Sequence, residues 1–307
     1  ASIYHKEINI SLQNFHASFE NLDNFNSKFN ETNLTTKIAE ELDLNLTIEK
    51  IDFDEKLFSF KNLLKIFNEP NDNISSLLTH KIFETISKNY KVAISGLGAD
   101  EIFYGYNGYK FFSNNLKYIQ SSFIKKLLNF FNYVNFKKLK TLKYYSKYNN
   151  LDLIFSHFNF NYFDDIKTKD FDDIVFDTKY SLIENYSSIR FKSTLPFQML
   201  AASDRSSMRN SLEVRSPYLN KNLLLKTLEY DPVTLINKGH KYIQTEILKE
   251  YLPKNLINQK KIGFILNPKI FIKNSFDRNS HFNRKDFIFN RFNLRNLMYK
   301  QFFLNEN

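Results

Sequence analysis

Lys91-Val92-Ala93-Ile94-Ser95-Gly96-Leu97-Gly98-Ala99-Asp100-Glu101-Ile102-Phe103-Tyr104-Gly105-Tyr106 is the stretch on which the fold turns. A short apolar run that stops at glycine has the length of a strand rather than of a helix. Gly96 and Gly98 then predict a tight turn, and Asp100-Glu101 the opening of a helix. Working outward, residues 12–19 predict a strand, 31–42 a helix with Leu34, Ile38, Ala39 and Leu42 on one face, and 46–51 a second strand. Glu69-Pro70 marks a loop before a helix over 75–87. Strands alternating with helices predict an α/β fold with a parallel sheet and right-handed crossovers. Ligands in such sheets sit at the carboxyl ends of strands, where the turn after Ser95 falls.

Farther along, residues 111–189 are expected to be mostly helical and aromatic. Thr194 before Leu195-Pro196 predicts a helix start with Pro in the first turn, running to Met208. The division expected is one domain over 1–307, with an α/β part to about 110 and a mostly helical part from about 111. No internal repeat or low-complexity linker interrupts it.

Composition narrows the class. The 307 residues are 42% hydrophobic and 25% charged, which is globular rather than disordered. Phe (33) and Tyr (18) are abundant, while Trp and Cys are absent and Gly numbers six. The favoured residues share A/T-rich codons, so the aromatic excess reads as nucleotide bias. Without Cys there is no disulfide, thiolate metal site or Cys nucleophile. No run of about 18 apolar residues is present, so the expected setting is soluble and cytoplasmic, without a membrane partner. The net charge of +10 suits a polyphosphate ligand. The bases are dispersed rather than gathered in an arm, apart from short concentrations at 125–140 and 260–285, so nucleic acid is not the expected partner.

Several chemistries drop out. The six His lack zinc-type spacing, and neither a Walker loop nor a dinucleotide fingerprint occurs. The acidic pairs Asp164-Asp165 and Asp172-Asp173 lie beside Lys167 and Lys169 and read as solvated surface.

Two further segments join the opening one. Asp204-Arg205-Ser206-Ser207-Met208 is followed by Leu212-Glu213-Val214-Arg215-Ser216-Pro217-Tyr218-Leu219, and Leu252-Pro253 leads to Lys260-Lys261-Ile262-Gly263-Phe264. Each alone is explained by a turn, a helix cap or an exposed lysine. Together, in this order and with Glu69-Pro70 upstream, they resemble the synthetase part of the asparagine synthetase family over about residues 10 to 270. The family patterns are Ser-Gly-x-Gly-x-Asp-Glu, Asp-Arg-x-Ser-Met with Leu-Glu-x-Arg-x-Pro-Phe-Leu, and Lys-x-Gly-Phe.

The resemblance implies an adenine-nucleotide alpha-hydrolase-like (ATP pyrophosphatase) domain. The implied reaction activates a carboxylate as an acyl-adenylate with ATP and Mg²⁺, then passes it to ammonia from glutamine or to another amine. It puts Lys261, Glu101 and Arg205 in catalytic roles, Ser95, Gly96, Gly98 and Asp204 at the nucleotide, and Asp100 at the metal. A glycine-rich turn admits close approach of backbone amides to a nucleotide, and Lys261 would meet charge developing at the α-phosphate. The implied partners are a small-molecule carboxylate substrate, an upstream glutaminase domain and a second copy in a homodimer.

Departures qualify the substrate. Leu97 stands where asparagine synthetases commonly carry an acid, Asn220 replaces Asp after Pro217-Tyr218-Leu219, and Gln259 replaces Arg. The family's Ser-Gly-Gly-x-Asp-Ser loop is not in the sequence, and Ala1-Ser2-Ile3-Tyr4 resembles the residues just after that loop, so a piece of a longer chain is expected. The alternatives are a member that amidates or cyclises a non-aspartate substrate, such as a surface sugar acid or a peptide, and a silent scaffold domain.

Overall fold

Alternation of Phe15 and Ala17 with Asn14, His16 and Ser18 gives β1 (Gln13–Glu20) two unlike faces. β1 pairs in parallel with β2 (Asn45–Asp52), Gln13 opposite Asn45 through Glu20 opposite Asp52. The crossover is α1 (Thr32–Glu41), as expected for parallel neighbours. The computed structural model describes residues 12–20, 31–52, 57–121 and 177–257, with Phe271, Ser275, Met298 and Phe302. The expected features at Asp164-Asp165, Asp172-Asp173, Lys260-Lys261 and most of the tail after Pro268 lie outside the described residues.

The chain divides into two compact units. The first comprises Ala1–Ser95, Leu200–Arg215 and Glu246–Asn307. In it, α2 (Phe60–Phe67) is capped by Ser59, whose hydroxyl accepts from the Asn62 amide. Its Phe60, Leu63, Ile66 and Phe67 recur at helical spacing and are buried against Leu77, Leu78, Ala202, Phe271 and Met298. Each such side chain contributes about 1.5–3 kcal/mol when fully buried. α3 (Ser76–Ser87) places Ile82, Phe83 and Ile86 against Phe15 of β1. The same cluster takes Ala93 of β3 (Val92–Ile94) and Val214 of β4 (Glu213–Arg215). β3 and β4 form a second parallel pair, Ala93 opposite Val214. Helices and small parallel sheets thus make the α/β architecture expected from the alternation.

The second unit comprises Gly96–Met199 and Ser216–Thr245. After the short α4 (Ala99–Ile102) comes α5 (Asn107–Gln120), whose Tyr109 and Phe112 are fully buried. They pack on Leu182, Ile183, Tyr186 and Ile189 of α6 (Leu182–Ile189) and on Leu235 and Ile236. A smaller cluster joins Ala99, Ile102 and Phe103 to Phe191, Tyr218, Leu223, Leu224 and Ile243.

The expected helix start at Thr194-Leu195-Pro196 is corrected. The helix begins at Ser181, where a reciprocal capping box joins Ser181 and Glu184. It continues through a π-helical segment, Arg190–Leu200, into α7 (Ala201–Met208). Pro196 lies inside that segment: the wider π turn accommodates a residue that has no N–H to give to the preceding turn. Among the described residues, no helix is long and apolar enough to cross a membrane.

Candidate functional site

Gly98 is the pivot of the motif turn. Its φ of +90° belongs to the left-handed region, and a Cβ there would collide with the Leu219 side chain. Gly96 is sterically free, since a Cβ would meet nothing within 4 Å. α4 lasts one turn and closes by a Schellman-type bond, the Gly105 amide donating to the Asp100 carbonyl at 2.8 Å. Tyr104 occupies the left-handed position of that cap (φ 54°), usually a Gly or Asn place. The strain, about 1–2 kcal/mol, is offset by burial of its ring edge-on to Tyr109 at 5.2 Å.

The cap sets the surroundings of Asp100. Its carboxylate pairs with Lys241 Nζ at 2.9 Å, both side chains about a quarter exposed. Any side chain at Gly105 would run into this pair, so glycine is required here by close approach rather than by its φ. His240 Nε2 donates to the Gly105 carbonyl at 2.6 Å, and Lys241 itself has a left-handed φ of 48°. Glu101 points the other way. It is 2% exposed and accepts from the Tyr106 hydroxyl at 2.6 Å. Arg190 lies with Cζ 3.5 Å from the Tyr106 ring centroid and donates from Nη1 to the Tyr186 hydroxyl at 3.2 Å. Burial and the neighbouring Glu101 charge push the Tyr106 phenol well above the ordinary tyrosine range. For Arg190 burial opposes the charge, yet the oxygens of Tyr186, Tyr106 and Tyr109 outweigh it and hold the guanidinium protonated.

In the first unit, Ser95 closes β3 by donating its amide to the Arg215 carbonyl at 2.8 Å. Asp204 is exposed in the first turn of α7. Arg205 donates from Nη1 to the Phe67 carbonyl at 2.6 Å and to Glu69 Oε1 at 2.7 Å, its guanidinium 5.9 Å from the Phe67 ring centroid. The Asp-Arg segment and Glu69-Pro70, 136 positions apart, are thereby one local structure. Just past the end of that helix, Asn210 donates to the Ser206 carbonyl at 3.0 Å and reaches His80 Nδ1 at 3.1 Å, tying the end of α7 to α3. Lys261 lies outside the described residues.

The family model for asparagine synthase matches residues 1–301. The chain belongs to the asparagine synthase family. It is 23% identical over 300 residues to asparagine synthetase [glutamine-hydrolyzing] 1 of Bacillus subtilis (strain 168), an alignment spanning 89% of this chain and 45% of that protein. The chain thus spans about half the length of the relative it matches.

For an asparagine synthase family domain the metal question falls on Asp100. Among the described residues no cluster of three or more acidic or imidazole ligands forms a self-sufficient metal cage. Mg²⁺ ordinarily needs only one or two carboxylates when phosphates and water complete its shell. Asp100 fits that role, provided Lys241 shares the phosphate charge instead of neutralising the carboxylate alone. Sequence patterns identified Gly98, Asp100 and Glu101. They gave no sign of Lys241 or Arg190, which lie in segments without a motif and reach the turn only through folding.

Proposed function

We propose that this chain is the synthetase portion of an ATP-dependent amide-forming ligase. It activates a carboxylate as an acyl-adenylate with release of pyrophosphate, and transfers the acyl group to ammonia or an amine. The observation that carries this is the Gly98 turn, with Asp100 held beside Lys241 at the end of the strand motif, in a chain of the asparagine synthase family. The reading includes an ATP-pyrophosphatase-type α/β domain, with residues to about 110 serving the nucleotide. Ser95, Gly96, Gly98 and Asp204 line the nucleotide, and Asp100 takes Mg²⁺ on the polyphosphate. Lys261 meets the charge that develops as pyrophosphate leaves, and Glu101 and Arg205 support the chemistry by holding their segments in place. Ammonia comes from a glutaminase partner domain, in the cytoplasm, and the working unit is a homodimer.

Leu97 favours a second substrate reading. An apolar, half-buried side chain at that position supplies no proton relay, which suits a carboxylate other than aspartate, such as a sugar acid or a peptide. Carboxylate-dependent ATP–pyrophosphate exchange by the full-length protein tests both readings, with aspartate, sugar acids and peptides as candidates. Exchange should require Mg²⁺ and fall about 100-fold or more in Lys261→Ala, as when one charge-stabilising donor is lost. ATP binding should change less, because that contact strengthens in the transition state. Absence of both exchange and ATP binding would sink the ligase reading in favour of a scaffold.

A further inference from the structure

Glu101 and Arg190 bring opposite charges into one core, 2% and 7% exposed. Tyr106 stands between them, its hydroxyl on Glu101 and its ring face under the guanidinium. Tyr186 takes a second contact from Arg190, and the fully buried Tyr109 packs edge-on against Tyr186 with centroids 4.9 Å apart. Buried charges are costly unless each is satisfied, and apolar residues of similar volume often stabilise a core as well or better. What such a network supplies is orientation: a charged acceptor fixes the direction of a hydroxyl, and a cation fixes the plane of a ring. Here both constraints act on one side chain.

The turn is held at its other end too. Asp100 is bound through its side chain by Lys241 and through its carbonyl by Gly105, the residue before Tyr106. Residues 100–106 are therefore clamped between Lys241 and Arg190. Arg190 also opens the π-helical segment, a geometry concentrated at functional sites.

We propose that Arg190 is a positioning residue: stacked on Tyr106, it fixes Glu101 and thereby aims the adjacent Asp100 carboxylate, without touching substrate itself. The functional half of this statement rests on the assignment of Asp100 to Mg²⁺ on polyphosphate. With its phenol pushed far above neutral pH, Tyr106 remains a donor to Glu101 throughout the working range.

The test uses Tyr106→Phe, which deletes one oxygen, and Arg190→Lys, which keeps the charge but not the planar fork. Amide hydrogen exchange of the full-length protein is read at Ile102, Phe103 and Gly105, whose N–H groups bond within the turn. In both variants these amides should exchange about tenfold or more faster, while those of α1 and α3 keep wild-type rates, since local opening is independent of global unfolding. The Mg²⁺ concentration that half-saturates ATP–pyrophosphate exchange should rise about fivefold, with kcat changed less than about twofold, the pattern of lost ground-state placement. Unchanged turn amides in both variants, acceleration shared equally by α1 and α3, or an unmoved Mg²⁺ requirement would each overturn the proposal. Amide rates need no turnover. If the wild type shows no pyrophosphate exchange, it is the ligase reading that fails, and the amides still decide whether Arg190 holds the turn.

Discussion

Arg205 and Arg190 each tie a motif segment to a helix, one at the surface of its unit and the other inside the core of its own. Arg205 meets Glu69 with the two side chains 39% and 54% exposed, and it draws on a backbone carbonyl as well. Water competes for such a pair and salt screens it, so its stabilisation is modest and its value is in where it holds the Glu69-Pro70 loop. Arg190 has given up its hydration and depends instead on the ring of Tyr106 and the oxygens of Tyr186, Tyr106 and Tyr109. The same residue type is expected to tolerate replacement in the first setting and to resist it in the second, because desolvation rather than contact number sets the cost of losing it.

The largest test of this contrast is Arg190→Met. Deleting the buried guanidinium removes the cation stacked on Tyr106 and the donor to the Tyr186 hydroxyl, and urea unfolding should show a loss of about 3 kcal/mol or more. A loss under about 1 kcal/mol would place Arg190 in the same class as Arg205.

A smaller effect is expected within the motif turn, where two glycines have unlike surroundings. Gly98→Ala must hold a positive φ against Leu219 and should cost about 1–3 kcal/mol, whereas Gly96→Ala should stay within about 0.5 kcal/mol. Paired urea midpoints decide it, and equal losses would mean the turn is not pinned at Gly98.

Smaller again is Arg205→Gln, expected to cost about 1 kcal/mol or less at low salt and still less in about 1 M salt. The stability deficit of Arg190→Met should be nearly independent of salt. Parallel salt dependences in the two variants would erase the distinction between the two arginines.

The mildest prediction concerns pH in the first unit. His16 lies between the hydroxyls of Thr32 and Thr35 at 3.2 and 3.3 Å, and burial holds its imidazole below its ordinary value of 6.5. The unfolded chain therefore takes up the proton first as pH falls. Its stabilising contribution is complete above about pH 6.5 and is lost progressively below it. The urea midpoint should fall between about pH 7.5 and 5.5, and fall less in His16→Gln. Identical slopes would assign the pH response to other groups.

The limits of sequence reading come from the range of the forces involved. β1, β2, α1 and α3 are legible because their apolar periodicity is local, and the Asp-Glu turn because glycine spacing is local. The helix start at Ser181 is harder to read although Ser181-x-x-Glu184 carries the capping-box pattern, since Pro196 gives a louder but misleading start signal.

The sequence by itself determined the α/β alternation, the glycine turn after β3 and the family, all written in short-range patterns of residue type. Only the tertiary structure decided that Glu101 is interior, that Asp100 is held by Lys241, and that Arg190 stacks on Tyr106. Burial and long-range pairing set the charge environment of those groups, and no spacing rule relates residues so far apart in the chain. Asp100 and Glu101 are neighbours of similar chemistry in the sequence. In the fold one faces a partly exposed cation and the other a half-buried tyrosine, because successive residues of a helix point about 100° apart.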